Sequence, residues 1–240
     1  MAKELTVEVW SDIACPWCYV GKRRLEAALE RFEHRDQVRI TWHSFELDPS
    51  APALRDSSTS YVQRLANKYG TGEAQAQGMI DRMVQTAALD GIKMDFEHIK
   101  SGNTFNAHRL LHLAKARGRQ HQLAERFMRG YLSEGLAIGD PEQLLRMAVD
   151  VGLDTDEVSG VLGGDMYEKD VRQDQRDARD LGISGVPFFL LGRRYAVSGA
   201  QPADLLLEAL TKTWQELPEP FVTLADDTAD GAVCGPDGCT

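Results

Sequence analysis

Residues 15–18, with the sequence Cys-Pro-Trp-Cys, place two thiols at a predicted corner between a strand and a helix. Residues 5–10 alternate apolar and polar side chains, as in a half-buried strand, and residues 16–34 repeat apolar side chains with a helical period. Cys18 lies about one helical turn after Cys15, so the two sulfurs are close enough to form a disulfide. A chain with this pattern is constrained to begin as strand, dithiol and helix.

The position of Cys15 favours a reactive thiolate. Free amide hydrogens and the positive end of the helix dipole stabilise an anion at a helix N-terminus, and Pro16 fits the first turn because no amide hydrogen is needed there. The pair could instead be packing residues or half of a zinc site, since the same spacing is common among zinc ligands. The preceding strand and the following helix favour redox chemistry over both.

Composition limits the classes of protein to consider. The chain has 240 residues, of which 42% are hydrophobic, so it can bury a sizeable core. Four cysteines near the two ends are too few for a disulfide scaffold. There is no apolar leader at the start and no run of about 18 apolar residues, so we expect a cytoplasmic protein without a membrane partner. The net charge of −10 argues against nucleic acid as the main partner.

The rest of the chain indicates an α/β fold. Residues 38–45 alternate as a second strand, which a crossover helix would make parallel to the first. Residues 60–181 show helical periodicity interrupted by glycines, with almost no strand signal. Residues 188–191 and 195–197 then predict an antiparallel hairpin, and residues 202–217 predict a final helix.

These patterns divide the chain into four parts: an N-terminal βαβ half (1–48), a helical insertion with its return helix (49–181), a C-terminal half with the hairpin (182–217) and an acidic tail expected to be flexible (218–240). Within the insertion, Asp140 is a candidate N-cap and Pro141 a first helical residue.

Three segments in this order carry a family resemblance: residues 12–18, 103–110 and 185–189. Together they resemble the thioredoxin fold in its DsbA-like form and, within it, the FrnE-like subfamily. The resemblance implies a central mixed β-sheet with a large α-helical insertion, and thiol–disulfide oxidoreductase activity. It also implies that the Val186–Pro187 bond is cis, faces Cys15 and offers the Val186 backbone to an extended substrate segment.

We therefore expect Cys15 to attack, Cys18 to resolve the mixed disulfide, and Trp17, Val186 and Pro187 to contact substrate. The expected partners are thiol- or disulfide-containing proteins and an unidentified reductant or oxidant, and no cofactor is expected. The Pro-Trp pair between the cysteines offers no cation to hold a thiolate, so reduction or isomerisation is favoured over net disulfide donation.

Alternatives remain open for several residues. His108 and His112 have a spacing that could hold a metal on one helix face, but no third ligand is evident, so packing is favoured and a proton shuttle at His108 is an alternative. Kappa-class glutathione transferases and 2-hydroxychromene-2-carboxylate isomerases have a similar fold, with Ser where this chain has Cys15. A holdase-type chaperone that binds clients in an apolar groove is a further hypothesis.

The chain ends with a second thiol pair, Cys234 and Cys239. The intervening Gly-Pro-Asp-Gly suits a type I turn that folds the two cysteines toward each other. Our hypothesis is that this pair exchanges electrons with Cys15 and Cys18. The alternatives are an idle tail, a clip onto a neighbouring helix or a partner chain, and zinc held by all four thiolates.

Overall fold

The computed structural model describes residues 3–56 and 58–218, and the backbone of residues 234–235 and 238–239. A four-stranded mixed sheet has the order β2-β1-β3-β4. Its strands are β1 (Leu5–Ser11), β2 (Val38–Ser44), β3 (Phe188–Leu191) and β4 (Tyr195–Ser198). β1 is parallel to β2 and antiparallel to β3, and β3 is antiparallel to β4. The predicted α/β class, the mixed sheet and the hairpin are confirmed.

Helix α1 (Pro16–Glu30) crosses from β1 to β2, and α9 (Ala203–Glu216) follows β4. Seven helices lie between β2 and β3 in the described residues: α2 (Tyr61–Tyr69), α3 (Glu73–Leu89), α4 (Phe105–Ala116), α5 (Gln120–Ser133), α6 (Pro141–Asp150), α7 (Thr155–Gly163) and α8 (Glu168–Asp180). The long helical stretch in the sequence is therefore an insertion into the sheet topology.

Helix α1 ends earlier than predicted. The expected range 16–34 continued the apolar period through Phe32, but the helix ends at Glu30 and a short 3₁₀ turn follows over Arg35–Gln37. Phe32 is still buried, and its ring packs edge-on against Trp214 of α9. Its burial thus comes from a contact after the helix, which a periodicity argument cannot distinguish from helical packing.

The predicted start of α6 is confirmed. The Asp140 carboxylate accepts a hydrogen bond from the Glu142 amide at 2.9 Å, and Pro141 is the first helical residue. At α9 the prediction was one residue too long at each end, because Pro202 is the N-cap and Leu217 the C-cap.

The sheet divides the core. Val7 and Val9 of β1 belong to the large cluster that includes the apolar side chains of α1 and α9. Trp10 lies in a second cluster with Ala178 of α8 and Ile183. Val7 and Val9 thus face one side of the sheet and Trp10 faces the other, as expected for a strand that is covered on both sides.

In the tail, Cys234–Gly235 pairs antiparallel with Gly238–Cys239, and Cys234 stands opposite Cys239. The turn residues Pro236 and Asp237 lie outside the described residues, so the turn type stays a prediction. Among the helices of the described ranges, none has both the length and the apolar character required to cross a bilayer.

Candidate active site

Cys15 occupies the N-cap of α1, between the end of β1 and Pro16. It is 5% exposed, and its Sγ lies 3.7 Å from the carbonyl oxygen of Val186, toward which the thiol donates. The Val186–Pro187 bond is cis, as the resemblance implied. Two segments far apart in sequence thus meet at the N-terminus of one helix, where unpaired amides favour negative charge.

Cys18 is fully buried one turn later, and its amide donates to the Cys15 carbonyl at 3.0 Å. Burial raises the pKa of the Cys18 thiol well above its usual range, and the neighbouring Cys15 raises it further. The Ser11 hydroxyl and the Asp12 backbone lie next to the sulfur and act in the opposite direction, but do not overcome burial. Both cysteines are free thiols, so Cys18 holds its proton at neutral pH.

Two apolar side chains are exposed on the segments that form this corner. Trp17, between the cysteines, is 44% exposed, and Leu47 after β2 is also exposed. The Leu47 amide donates to Asp12 Oδ2 at 2.8 Å, which holds the loop after β2 against the segment that precedes Cys15. The rim of the site therefore offers apolar contact area around a buried sulfur.

Gly21 lets α1 approach the cis-proline segment closely. A Cβ atom at this position would lie 2.9 Å from Pro187 Cγ and 3.2 Å from Phe189 Cζ. Both distances are shorter than an ordinary carbon–carbon contact. The absence of a side chain at Gly21 is thus part of what brings Pro187 and Val186 against the dithiol helix.

The segment 103–110 mainly holds the insertion together. Asn103 Oδ1 accepts from the Phe105 amide at 2.8 Å, which caps α4, and its Nδ2 donates to Ala51 at 3.2 Å. The Arg109 guanidinium is buried and donates to three carbonyl groups at and after the end of α7, those of Val161, Gly164 and Met166. Sequence reasoning assigned no role to either side chain.

His108 and His112 face different partners. His108 Nε2 lies 3.4 Å from Asp12 Oδ1, beside the dithiol. His112 Nε2 lies 3.0 Å from Asp174 Oδ2 and 3.2 Å from the Ser44 hydroxyl. The two rings therefore do not converge on one point, and their spacing on the helix does not form a metal site.

Asp174 joins α8 to the sheet and to α4. Its carboxylate lies 2.7 Å from His43 Nδ1 and accepts the Ser44 amide at 2.7 Å, in addition to its contact with His112. Burial alone would raise the pKa of Asp174, but the bonds from His112, His43 and the Ser44 amide hold it well below its usual range. This network is a structural anchor some distance along α4 from the dithiol.

The basic residues nearest in sequence to Cys18 are engaged elsewhere. Lys22 is buried, with its Nζ 2.5 Å from Glu26 and 2.8 Å from Glu125. Arg23 pairs with the same two carboxylates. Both cations are therefore paired with carboxylates and not with the thiols, and the two residues between the cysteines carry no charge either.

Comparison with known proteins places this arrangement in a family. Residues 6–211 match the family model described as DSBA-like thioredoxin domain. The chain belongs to this family. A probable DsbA oxidoreductase from Streptomyces coelicolor is 44% identical, with a TM-score of 0.85 and 99% of each chain covered. The uncharacterized Bacillus subtilis (strain 168) protein YwbO is 28% identical over 211 residues, which are 85% of this chain and 95% of YwbO.

The fold extends to more distant DsbA-like proteins. The cytosolic disulfide reductase DsbM from Pseudomonas aeruginosa is 18% identical, with a TM-score of 0.59 over 86% of this chain and 98% of DsbM. At this identity the likeness shows the fold alone. The family and its oxidoreductase character are thus established at the level of the DsbA-like group.

Two residues at the site had no role assigned from sequence. Gly21 lies within an ordinary helical period, and no local pattern marks its contact with Pro187. Asp12 belongs to the segment 12–18, yet its approach to His108 joins the turn after β1 to α4, and no sequence spacing connects the two. Only the fold brings them together.

Proposed function

We propose that this chain reduces or isomerises disulfides in protein substrates, with Cys15 as the nucleophile and Cys18 as the resolving thiol. The approach of Cys15 Sγ to the Val186 carbonyl at the N-terminus of α1 carries the proposal. A thiol at this position can attack a disulfide whose flanking backbone pairs with Val186 as an added strand.

The reaction proceeds by two exchanges. The Cys15 thiolate attacks one sulfur of the substrate disulfide, a mixed disulfide forms, and the other substrate sulfur leaves as a thiolate. Cys18 then attacks Cys15, which forms the Cys15–Cys18 disulfide and releases the second substrate thiol. The substrate gains two electrons and the enzyme loses two. In isomerisation the freed substrate thiol attacks instead, so the enzyme leaves reduced.

Protein substrates fit the rim better than small molecules. The exposed side chains of Trp17, between the two cysteines, and of Leu47, whose amide is bonded to Asp12, offer apolar contacts to an unfolded or extended segment. A Ser-based glutathione transferase would have a hydroxyl at position 15, whereas this chain has two thiols. Glutathione titration of the protein tests the rival, which requires saturable binding that persists in Cys15→Ser.

Reduction or isomerisation agrees with the surroundings of the dithiol. Lys22 and Arg23 are held by Glu26 and Glu125, so they do not stabilise a thiolate and favour a less oxidising pair. A cytoplasmic location suits such a pair, since the cytosol keeps thiols reduced. DsbM, described as a cytosolic disulfide reductase, shares the fold.

We assign the tail pair the role of electron donor to the main pair. The backbone pairing of Cys234 with Cys239 brings the two residues opposite each other. Leu217 and Cys234 are 17 residues apart, so an extended connection could span up to about 60 Å. Transfer of two electrons would oxidise the tail dithiol and return Cys15 and Cys18 to thiols, after which an external reductant restores the tail.

Insulin reduction and the refolding of scrambled ribonuclease test the function together. Cys15→Ser should abolish both activities, whereas Cys18→Ser should lose insulin reduction and keep part of the isomerisation, because isomerisation needs only the nucleophile. Retention of both activities by Cys15→Ser would refute the assignment. If Cys15→Ser instead suppresses client aggregation as well as the wild type, chaperone binding is a separate activity.

A trapping experiment tests the tail. In a chain carrying Cys18→Ser and Cys234→Ser, Cys15 and Cys239 should form a mixed disulfide within one molecule under mild oxidation. The matched control carries Cys18→Ser with both tail cysteines replaced. Absence of the internal crosslink at Cys239 and, in the reciprocal variant, at Cys234 would refute direct exchange.

A further inference from the structure

The outer edge of β2 is covered over only part of its length. β2 is an edge strand of the sheet. The Gln120 side chain accepts the Trp42 amide and donates to the Trp42 carbonyl. Asp174 accepts the next outward-facing amide, that of Ser44. Since alternate residues of a strand face the same edge, the Ile40 amide and carbonyl also point outward, and no group among the described residues bonds to them. The first half of this edge is thus open to a further strand.

An apolar groove, which we call the β2-edge groove, lies beside the open part of the edge. Leu89, the last residue of α3, lines it and is 87% exposed. Arg24 of α1 pairs with Asp90 at 2.9 Å, which holds the end of α3 against α1. The groove is also lined by half-buried apolar residues of α1 and β2, namely Leu29, Val38 and Ile40. Free backbone groups beside a pocket for side chains are what strand addition requires.

The covered part of the edge limits what can pair here. A symmetric antiparallel pairing of two β2 edges about Ile40 would place Val38 of one copy opposite Trp42 of the other. Gln120 already takes both outward backbone groups of Trp42, so this pairing is blocked. A second copy of β2 therefore does not fit, whereas a short segment that enters at the start of β2 does.

The chain leaves α9 at this same end of the sheet. A Cβ atom at Gly192 would lie 3.6 Å from both Leu217 Cδ2 and Leu5 Cδ1, so these two side chains flank one glycine. Leu5 is the register partner of Val38 on the neighbouring strand. Adjacent strands are about 4.8 Å apart. The residues that follow Leu217 thus begin close to the open part of the β2 edge.

The sequence after α9 contains a segment suited to a short strand. Residues 221–225 read Phe-Val-Thr-Leu-Ala, which is rich in aromatic and β-branched side chains. Pro220 precedes this segment, and Asp226 and Asp227 follow it. Proline and aspartate are typical at the boundaries of a strand. The segment matches the length of the open edge, which is shorter than β2 itself.

Charge also favours this segment as the occupant. Residues 218–240 carry five carboxylate side chains and no Lys or Arg. The loop between α4 and α5, directly before Gln120, carries three exposed cations, Lys115, Arg117 and Arg119. Arg117 pairs with Glu157, whereas within the described ranges Lys115 and Arg119 form no ion pair. The covered end of the groove is therefore bordered by positive charge, which is complementary to the acidic tail.

We propose that residues 221–225 occupy the β2-edge groove as a strand parallel to β2, with Asp226 and Asp227 at the cations of the α4–α5 loop. The proposal deepens the role assigned to the tail pair and rests on the proposed function. The occupant belongs to the same chain, because that chain leaves α9 beside the groove.

This placement directs the tail toward the dithiol. β2 runs parallel to β1, whose last residue, Ser11, lies four residues before Cys15. From Ile40 to the end of β2 the strand covers about 13 Å. Nine residues lead from Ala225 to Cys234, and they span up to about 30 Å. The docked segment thus keeps the tail pair within reach of Cys15 and shortens the free part of the connection.

Two measurements on the reduced full chain test the docking. Chymotrypsin cleavage after Phe221, followed by intact mass, reports whether the segment is accessible. Hydrogen exchange of the Ile40 amide, followed by NMR, reports whether the edge is covered. When docking and release are fast, both rates are proportional to the undocked fraction, so one variant should change both by the same factor.

Leu89→Gln should raise both rates about tenfold, because the docked segment loses an apolar contact. The side chain is exposed, so the change does not remove a core contact. The matched control is Leu181→Gln, an exposed leucine at the C-cap of α8, which should leave both rates within about twofold. Unchanged rates in Leu89→Gln would overturn the proposal.

Two further results decide the occupant and its charges. Arg119→Gln should raise the cleavage rate about threefold, as for the loss of one surface ion pair; a rate equal to that of the wild type would overturn the placement of the acidic residues. Cleavage should not depend on protein concentration between about 1 and 100 µM, since docking within one chain is independent of mass action. Protection that grows with concentration would assign the groove to the tail of a second copy and overturn docking within the chain.

The docking and the electron transfer fail separately. If Leu89→Gln exposes the tail as expected but Cys15 never crosslinks to Cys239 in the trapping experiment, the docking stands and the electron-donor role is wrong. If the crosslink forms while Leu89→Gln changes neither rate, the electron-donor role stands and the docking is wrong.

Discussion

Replacement of Gly21 by Ala tests whether the close approach of α1 to the cis-proline segment is required. The new Cβ would lie 2.9 Å from Pro187 Cγ and 3.2 Å from Phe189 Cζ, in a region where Phe189 is fully buried. At 2.9 Å something must move. The nearest atom belongs to Pro187, and the carbonyl of the preceding Val186 faces Cys15 Sγ, so a shift of this segment would reach the dithiol.

Two opposing effects set the magnitude. Alanine is favoured over glycine within a helix by about 1 kcal/mol. Overpacking in a filled core costs about 1–3 kcal/mol, and a contact this short belongs in the upper part of that range. We therefore expect Gly21→Ala to lower the free energy of unfolding by about 1–2 kcal/mol.

Gly78 supplies the matched control, because it also lies inside a helix, α3, at the same distance from the helix start. A Cβ there would meet only the Arg82 guanidinium at 3.6 Å. Gly78→Ala should therefore raise the free energy of unfolding by about 0.5–1 kcal/mol, which is the helix-propensity gain without the clash.

Urea denaturation of the wild type and the two variants gives both changes in the free energy of unfolding, provided that the three m-values are equal. The difference in free energy of unfolding between the two variants is the cost of overpacking at Gly21 and should be about 2–3 kcal/mol. If Gly21→Ala stabilises the protein as much as Gly78→Ala does, the close contact imposes no cost and the role of Gly21 in seating Pro187 is wrong.

Three further changes test the contacts that hold the insertion. Asp174→Asn should destabilise the protein by about 3 kcal/mol at pH 7 because it breaks a buried hydrogen-bonded pair. The pKa of Asp174 is depressed in the folded protein, so its carboxylate stabilises the fold above about pH 4 and this effect is lost as the pH falls lower. The difference in free energy of unfolding between wild type and variant, measured by urea titration, should therefore narrow in acid. A gap that stays constant down to pH 2 would contradict this account. Arg109→Met keeps most of the side-chain length but leaves three carbonyl groups without the guanidinium, so thermal unfolding should show a loss of about 2–4 kcal/mol in the free energy of unfolding. A loss below about 1 kcal/mol would mean that water replaces the guanidinium. Asn103→Ala removes the side-chain acceptor of the Phe105 amide at the start of α4 and should cost about 1 kcal/mol by the same measurement.

Much of the fold follows from local patterns. The strand at 5–10, the second strand and the hairpin were predicted within about a residue because each alternates or is bounded by turn residues. The start of α6 followed from Asp140 and Pro141. The end of α1 was missed because Phe32 continues the helical period while it packs on Trp214, and no glycine or proline marks the stop.

The candidate site was predictable from sequence only where its residues are adjacent along the chain. Cys15 and Cys18 carry the dithiol within one turn, and Gly-Val-Pro suggested the facing loop through family resemblance. The partners of His108 and His112 were not predictable. Their spacing suggests a shared ligand, yet the register of α4 against the sheet directs one to Asp12 and the other to Asp174.

Burial of Cys18 bears on the order of the two thiol attacks in the proposed mechanism. The sheet and α1 supply both sulfurs and the Val186 carbonyl, but they leave Cys18 without solvent contact and with a raised pKa. An exposed resolving thiol could give its proton to water and would need no acceptor. A fully buried thiol lacks that route, so in the proposed mechanism Cys18 reacts only with a sulfur already held at Cys15, and the substrate disulfide meets Cys15 first.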